Sequence, residues 1–234
     1  MPERDERFPT TRWTVVLSVA SRSSRKDALN WLCERYWYPL YAFIRRRGYP
    51  PDSAQDLTQG FLTNLLERSS FEAADPSRGR FRAYLIGALK HYLADRTEYE
   101  TAAKRGGGEP LLPLPFEEGE EHYLQCPAHL TPEALYDRQW ALSLIDRVLD
   151  LLHAEHAAAG KESQFGILKP FLAGEGDFRA AASALAMKEN AVRVAVHRLR
   201  RRYRDLLSAE ITETVDSPDV VQQEIRYLIH VISA

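Results

Sequence analysis

Cysteine is scarce in this sequence. Its 234 residues hold two, Cys33 and Cys126, far apart, which excludes a disulfide framework of the kind that staples small secreted domains. Long apolar runs are missing too: no stretch approaches the roughly 20 residues that span a bilayer. The opening MPERDERFPTTRW lacks the apolar core of a secretory leader. A cytoplasmic protein is the expectation. Net charge is almost absent, −2 from 31 Lys and Arg against 33 Asp and Glu, and that mean by itself argues against a nucleic-acid binder. Catalytic motifs are also missing. There is no P-loop, nucleophile elbow or zincin helix, and the glycines of KRGGGEP lack the strand–loop–helix frame of a phosphate cradle. No enzyme and no cofactor are expected. His122, Cys126 and His129 have ligand-like spacing, but no fourth ligand stands out among Glu120, Glu121 and Cys33. Pro127 and the surrounding acids read as a loop, so no metal site is expected.

What is present is a strongly uneven charge distribution. Residues 188–205 carry seven Lys or Arg against two acids, and residues 78–105 carry seven against three. Between them, residues 106–137 carry seven acids and no Lys or Arg. Two basic blocks thus flank an acidic one, and the near-zero mean conceals them.

Apolar residues recur at helical spacing almost everywhere, and nothing alternates as a strand would. Residues 27–47 form one amphipathic helix, with Leu29, Leu32, Tyr36, Leu40 and Phe43 inward. A second, capped by Asp52 or Ser53, runs to about Arg68 with Ala54, Leu57, Phe61 and Leu65 inward. A third spans 81–99 and buries Tyr84, Leu85, Ala88, Leu89 and Tyr92. Gly, Pro and acids then break the periodicity. It resumes at 135–153, 165–172, 178–185 and 189–207, and a tail with one short helix ends the chain. The predicted fold is all-α. Two small helical domains, 1–105 and 135–209, are joined by an acidic linker, 106–134, and followed by a tail, 210–234.

On a helical wheel, Val192, Ala195, Val196, Leu199, Tyr203, Leu206 and Leu207 share one sector of 189–207. Arg193, His197, Arg198, Arg200, Arg201, Arg202 and Arg204 fill the rest. A merely solvated face alternates sign to gain pairs four residues apart. This one is nearly all cationic, which points to an anionic partner. A short helix at 178–185, a three-residue turn and this basic helix together make a helix-turn-helix pattern, whose second helix enters the major groove N-terminus first. In that geometry Lys188, Asn190, Ala191, Arg193, Val194 and His197 face base edges, while Arg198, Arg200 and Arg201 meet phosphates.

These residues, LAMKENAVRVAVHRLRRRYRDLL, resemble region 4 of the extracytoplasmic-function group of bacterial sigma-70 factors. Ala186 stands for that pattern's turn glycine, Lys188 for its capping serine and Ala191 for its threonine, so the turn must be strained or altered and the base preference does not transfer. The first domain resembles the same family independently. ALNWLCERYWYPLYAFIRRRG is similar to region 2.1, and PPDSAQDLTQGFLTNLLE to the region 2.2 helix that grips the polymerase β′ coiled coil. The resemblance carries that contact to Asp52, Asp56, Gln59 and Phe61, with Gln55 where many relatives have a second acid. Residue types supply a plainer reading for two of these: helix N-terminal charge for Asp52 and core packing for Phe61. RGRFRAYLIGALKHYLADR resembles regions 2.3–2.4, with Tyr84 for a tryptophan and His91 for an asparagine. There Arg78, Arg80, Arg82, Lys90 and Arg96 would track the phosphates of the melted −10 strand, with Tyr84 and His91 beside them.

The resemblance covers about 25–105 and 135–208. It implies a non-catalytic transcription-initiation subunit whose partners are bacterial core RNA polymerase (β′ coiled coil and β flap), promoter DNA and, in some settings, an anti-sigma factor. Two other classes stay open. One is a stand-alone helix-turn-helix regulator, which predicts tight dimeric binding to a palindrome. The other is a helical interaction module derived from a sigma factor that binds no DNA.

Overall fold

The structure is a computed structural model that describes residues 22–67, 80–100, 114–215 and 218–233. Among these residues every regular element is helical. The helices are α1 (Arg22–Arg46), α2 (Pro51–Glu67), α3 (Phe81–Glu100), α4 (Phe116–Leu124), α5 (Pro132–Ala158), α6 (Glu162–Leu168), α7 (Phe178–Ala184), α8 (Glu189–Thr212) and α9 (Pro218–Ser233), with a 3₁₀ turn at Lys169–Leu172. None is long and apolar enough to cross a membrane.

The chain divides into two compact units that do not follow the boundaries expected from sequence. One contains residues 1–142 and 212–234, the other 143–211. The start of α5 and the C-terminal helix therefore belong with the first unit. Its core is built from Tyr36, Leu40, Phe43 and Ile44 of α1, Leu57, Phe61 and Leu62 of α2, Phe81, Leu85 and Leu89 of α3, and Tyr136 of α5, all buried. Tyr36 meets Phe81 edge-on at 5.4 Å, and Phe43 meets Tyr136 at 6.5 Å. Burying each such side chain contributes about 1.5–3 kcal/mol. Helix α1 ends where the sequence runs out of helix formers. Gly48 takes φ +94°, a left-handed conformation that L side chains resist, and donates its N–H to the Arg45 carbonyl. Helix α2 starts one residue before the expected cap, with Pro51 at its first position, where a missing N–H costs nothing.

The acidic segment expected to be a linker contains a helix. In α4, Phe116 is buried against Trp37 and Tyr41 of α1, with ring centroids 5.5 and 5.4 Å apart. Gly119 is what lets α4 lie so close: a Cβ there would meet the rigid Trp37 indole at 2.8 Å. Glu120 then reaches Arg45, whose Nε and Nη2 donate to its two oxygens at 2.7 Å each, while Tyr41 Oη donates to Glu120 Oε2 at 2.6 Å. Arg46 donates to the carbonyls of Pro127 and Ala128, and Tyr123 lies under both arginines. The basic end of α1 thus holds the strap in place.

In the second unit, α6, the 3₁₀ turn, α7 and α8 close around Leu152, Phe165, Leu168, Phe171, Ala181, Ala182, Val192, Val196 and Leu199. Ala181 and Ala182 leave room for α8 to approach α7.

Candidate nucleic-acid interface

The hairpin of α7 and α8 is set by its caps. Asp177 takes an extended conformation before α7, and its carboxylate accepts the N–H groups of Arg179 and Ala180 at 2.8 and 3.3 Å. At the other end, the Met187 N–H reaches the Ala182 carbonyl at 2.9 Å and the Ala186 N–H reaches Ser183 at 3.2 Å. This is a Schellman closure, and it forces Ala186 to φ +51°. Ala186 is the one non-glycine residue in this region among those described, the other three positive φ values belonging to Gly48, Gly160 and Gly174. The altered turn expected at Ala186 is a glycine-type turn made with alanine.

Lys188 then caps α8 with its carbonyl, which accepts from Ala191 and Val192 at 2.9 and 3.1 Å. Burial along α8 follows the wheel. Val192, Val196 and Leu199 are buried, with Ala195, Tyr203 and Leu206 packed against them. Lys188, Asn190, Ala191, Arg193, Val194, His197, Arg198, Arg200 and Arg201 all face solvent. They are not equivalent. The Arg193 guanidinium stacks over Phe178 at 4.2 Å, and Phe178 in turn lies 4.7 Å from Phe171. Arg200 donates from Nε and Nη2 to the Phe171 carbonyl at 3.2 and 2.6 Å, so part of its fork is occupied at home. Arg202 pairs with Glu155 through both Nε and Nη2. Lys188, Arg198, Arg201 and Arg204 pair with no described acid.

The α3 set fares differently. Arg78 lies outside the described residues. Arg82, expected to track phosphate, is 5% exposed. Its Nε lies 3.0 Å from Asp137 Oδ1, its Nη1 pairs with Glu224, and its guanidinium lies over the rings of Trp140 and Tyr227. Arg80 is partly buried beside it, 2.7 Å from the other Glu224 oxygen. Burial first, and Arg82 second, lower the Arg80 pKa. Both arginines are corrected to internal partners of α9: a carboxylate with 0% exposure demands a cation, and these two supply it. Tyr84 is half-buried against Phe81 at 6.2 Å, and burial pushes its phenol pKa up. Lys90 is exposed and bridges to Glu133 at 2.7 Å, while His91 and Arg96 are exposed, Arg96 over the Tyr92 ring at 5.4 Å.

On α2, Asp52 and Asp56 face solvent and Gln59 is partly exposed. Phe61 is corrected to a core residue: it is 2% exposed and packs on Tyr92 at 5.6 Å. Among the described residues no group of three or more His, Cys, Asp or Glu is placed to hold a metal ion. Cys126 instead accepts from Gln139 Nε2 at 3.2 Å. Nothing local in the sequence assigns Asp137, Tyr227 or Glu120 the ion-pair and hydrogen-bond roles they have here. One signal pointed to Glu224: it falls in the apolar stripe of α9, between Val221 and Leu228, where a charge needs a buried counter-charge.

Fold and surface together define a class: a chain whose described elements are all helical and which presents a cationic helix face on a compact hairpin. Beyond that class, no family model, no curated protein and no solved structure matches the sequence.

Proposed function

We propose that the chain is an RNA polymerase sigma factor of the extracytoplasmic-function type, a non-catalytic subunit that binds core polymerase in the cytoplasm and directs it to promoters. One observation carries the reading. Helix α8 turns Lys188, Arg193, Arg198, Arg201 and Arg204 outward with no acid among the described residues paired to them, while its Val192, Val196 and Leu199 are buried. Such a face repels itself and is relieved by a polyanion. In this reading α8 takes the −35 duplex, with Lys188, Asn190, Arg193 and His197 at base edges and Arg198 and Arg201 at phosphates. Asp52 and Asp56 meet the β′ coiled coil, and the second unit meets the β flap. Capture of the melted −10 strand falls to Lys90, His91 and Arg96 with Tyr84, because Arg80 and Arg82 are engaged by Glu224. An anti-sigma factor is a further partner of the same class.

That engagement favours one second reading, a sigma-derived interaction module that holds polymerase without opening DNA. Run-off transcription with cognate core polymerase over a library of random promoters separates the two. The sigma reading expects transcripts that depend on the chain and are abolished by Arg193→Glu. Polymerase binding without transcripts leaves the interaction module. No binding to polymerase in either arm rejects both.

A further inference from the structure

Two of the side chains that point outward from the first turns of α8 are apolar. Val194 is 51% exposed, and Ala191, one turn before it on the same face, is exposed too. Single exposed apolar residues are ordinary. This pair is not isolated, because it is set among cations: Lys188 precedes it and Arg198 and Arg201 follow it, none paired with a described acid. The neighbouring stripe carries Asn190, Arg193 and His197, spaced three and four residues apart. Arg193 in that stripe is not a loose charge. Stacking on Phe178, which rests on Phe171, presets the direction of its planar fork.

The chemistry of a base-pair edge fits this mixture. In the major groove of duplex DNA the apolar group a base presents is the C5-methyl of thymine; a guanine offers O6 and N7 to one arginine fork, and an adenine offers N6 and N7 to an asparagine amide. We propose that α8 reads a duplex site in which thymine methyl groups pack on Ala191 and Val194, next to a guanine held by Arg193. This rests on the DNA-binding reading above and adds to it the identity of the bases. Charge complementarity selects the occupant. A protein helix seated on Val194 would bring an apolar ridge against unpaired cations, whereas a duplex brings phosphates to the cations and methyl groups to the valine.

The test uses the full-length chain saturated with core polymerase. A random-sequence duplex library is selected for binding, and the enriched site is remade with deoxyuridine replacing each thymidine in turn, which removes the methyl and keeps the pairing. One or two positions should bind about fourfold more weakly, the worth of one buried methyl. At one of these positions, the one that packs on Val194, the loss should vanish in Val194→Ser and persist in Val194→Ile, with both variants melting at the wild-type temperature. Equal binding of uracil and thymine at every position overturns the proposal, as does uracil sensitivity unchanged in Val194→Ser. Weaker polymerase capture by Val194→Ser with base preference intact assigns the valine to a protein contact and also overturns it. If no sequence is enriched, the DNA-binding reading falls and the proposal falls with it.

Discussion

At the scale of single residues, the turn between α7 and α8 is the clearest case of a local rule broken. Ala186 sits at φ +51°, where its Cβ crowds the following carbonyl at a cost of about 1–2 kcal/mol. Ala186→Gly removes that strain but gives the unfolded chain about 0.4–1 kcal/mol of extra entropy to lose. The two terms oppose, and the expected net is a stabilisation of up to about 1.6 kcal/mol, read as a raised urea midpoint with an unchanged slope. A lowered midpoint would mean that the alanine methyl makes packing contacts that outweigh the backbone strain. Arg193 shows the complementary lesson. Its identity says cation, but only Phe178 beside it says that the cation is aimed.

Among elements, α4 and α9 behave as covers on the first unit, each held by one carboxylate: on Arg45 and Tyr41 for α4, on Arg80 and Arg82 for α9. For α4 that carboxylate is Glu120. The Arg45 fork, and the Tyr41 hydroxyl after it, hold its pKa below the ordinary value, with desolvation opposing. A carboxyl with a depressed folded pKa adds stability above its unfolded pKa and loses it as pH falls through the folded one. Glu120→Gln should therefore cost about 1.5–3 kcal/mol at neutral pH. The gap between wild type and variant should close on acidification below the usual carboxylate range. Urea denaturation of both proteins at neutral and acid pH checks this, and a gap that stays constant with pH would remove Glu120 from the role. The acids of this segment look from composition like solvated tether. Phe116 and Gly119, spaced to meet Trp37, turn one of them inward.

At the scale of the whole molecule, the first unit is discontinuous in sequence, since the chain returns to it at 212–234 after forming the second. The return is secured by the Phe81 N–H to the Thr214 carbonyl at 3.2 Å, by Arg138 donating to the carbonyls of Val231 and Ile232, and by Glu224 on Arg80 and Arg82. Burying charge is expensive, and removing one partner strands the other. Glu224→Gln should destabilise the first unit by about 3–5 kcal/mol, lowering its thermal transition. An unchanged transition would show that Arg80 and Arg82 are solvated rather than buried against α9. The tail expected as an appendage is in this way part of the first unit's core.

Periodicity alone determined most of the helices and the sidedness of α8, because amphipathic spacing is a property of neighbouring residues: Val192, Val196 and Leu199 must share a face, and the arginines must take what remains. The turn at Ala186 was legible for the same reason. Which cations stay available was decided only by tertiary structure. Arg82 and Arg198 are the same side chain on basic helices, and nothing local distinguishes them. One meets Glu224 from 142 residues away and is buried, while the other meets no described acid and stays in water. Ion pairing over such separations depends on where the chain folds back, and no local pattern encodes that.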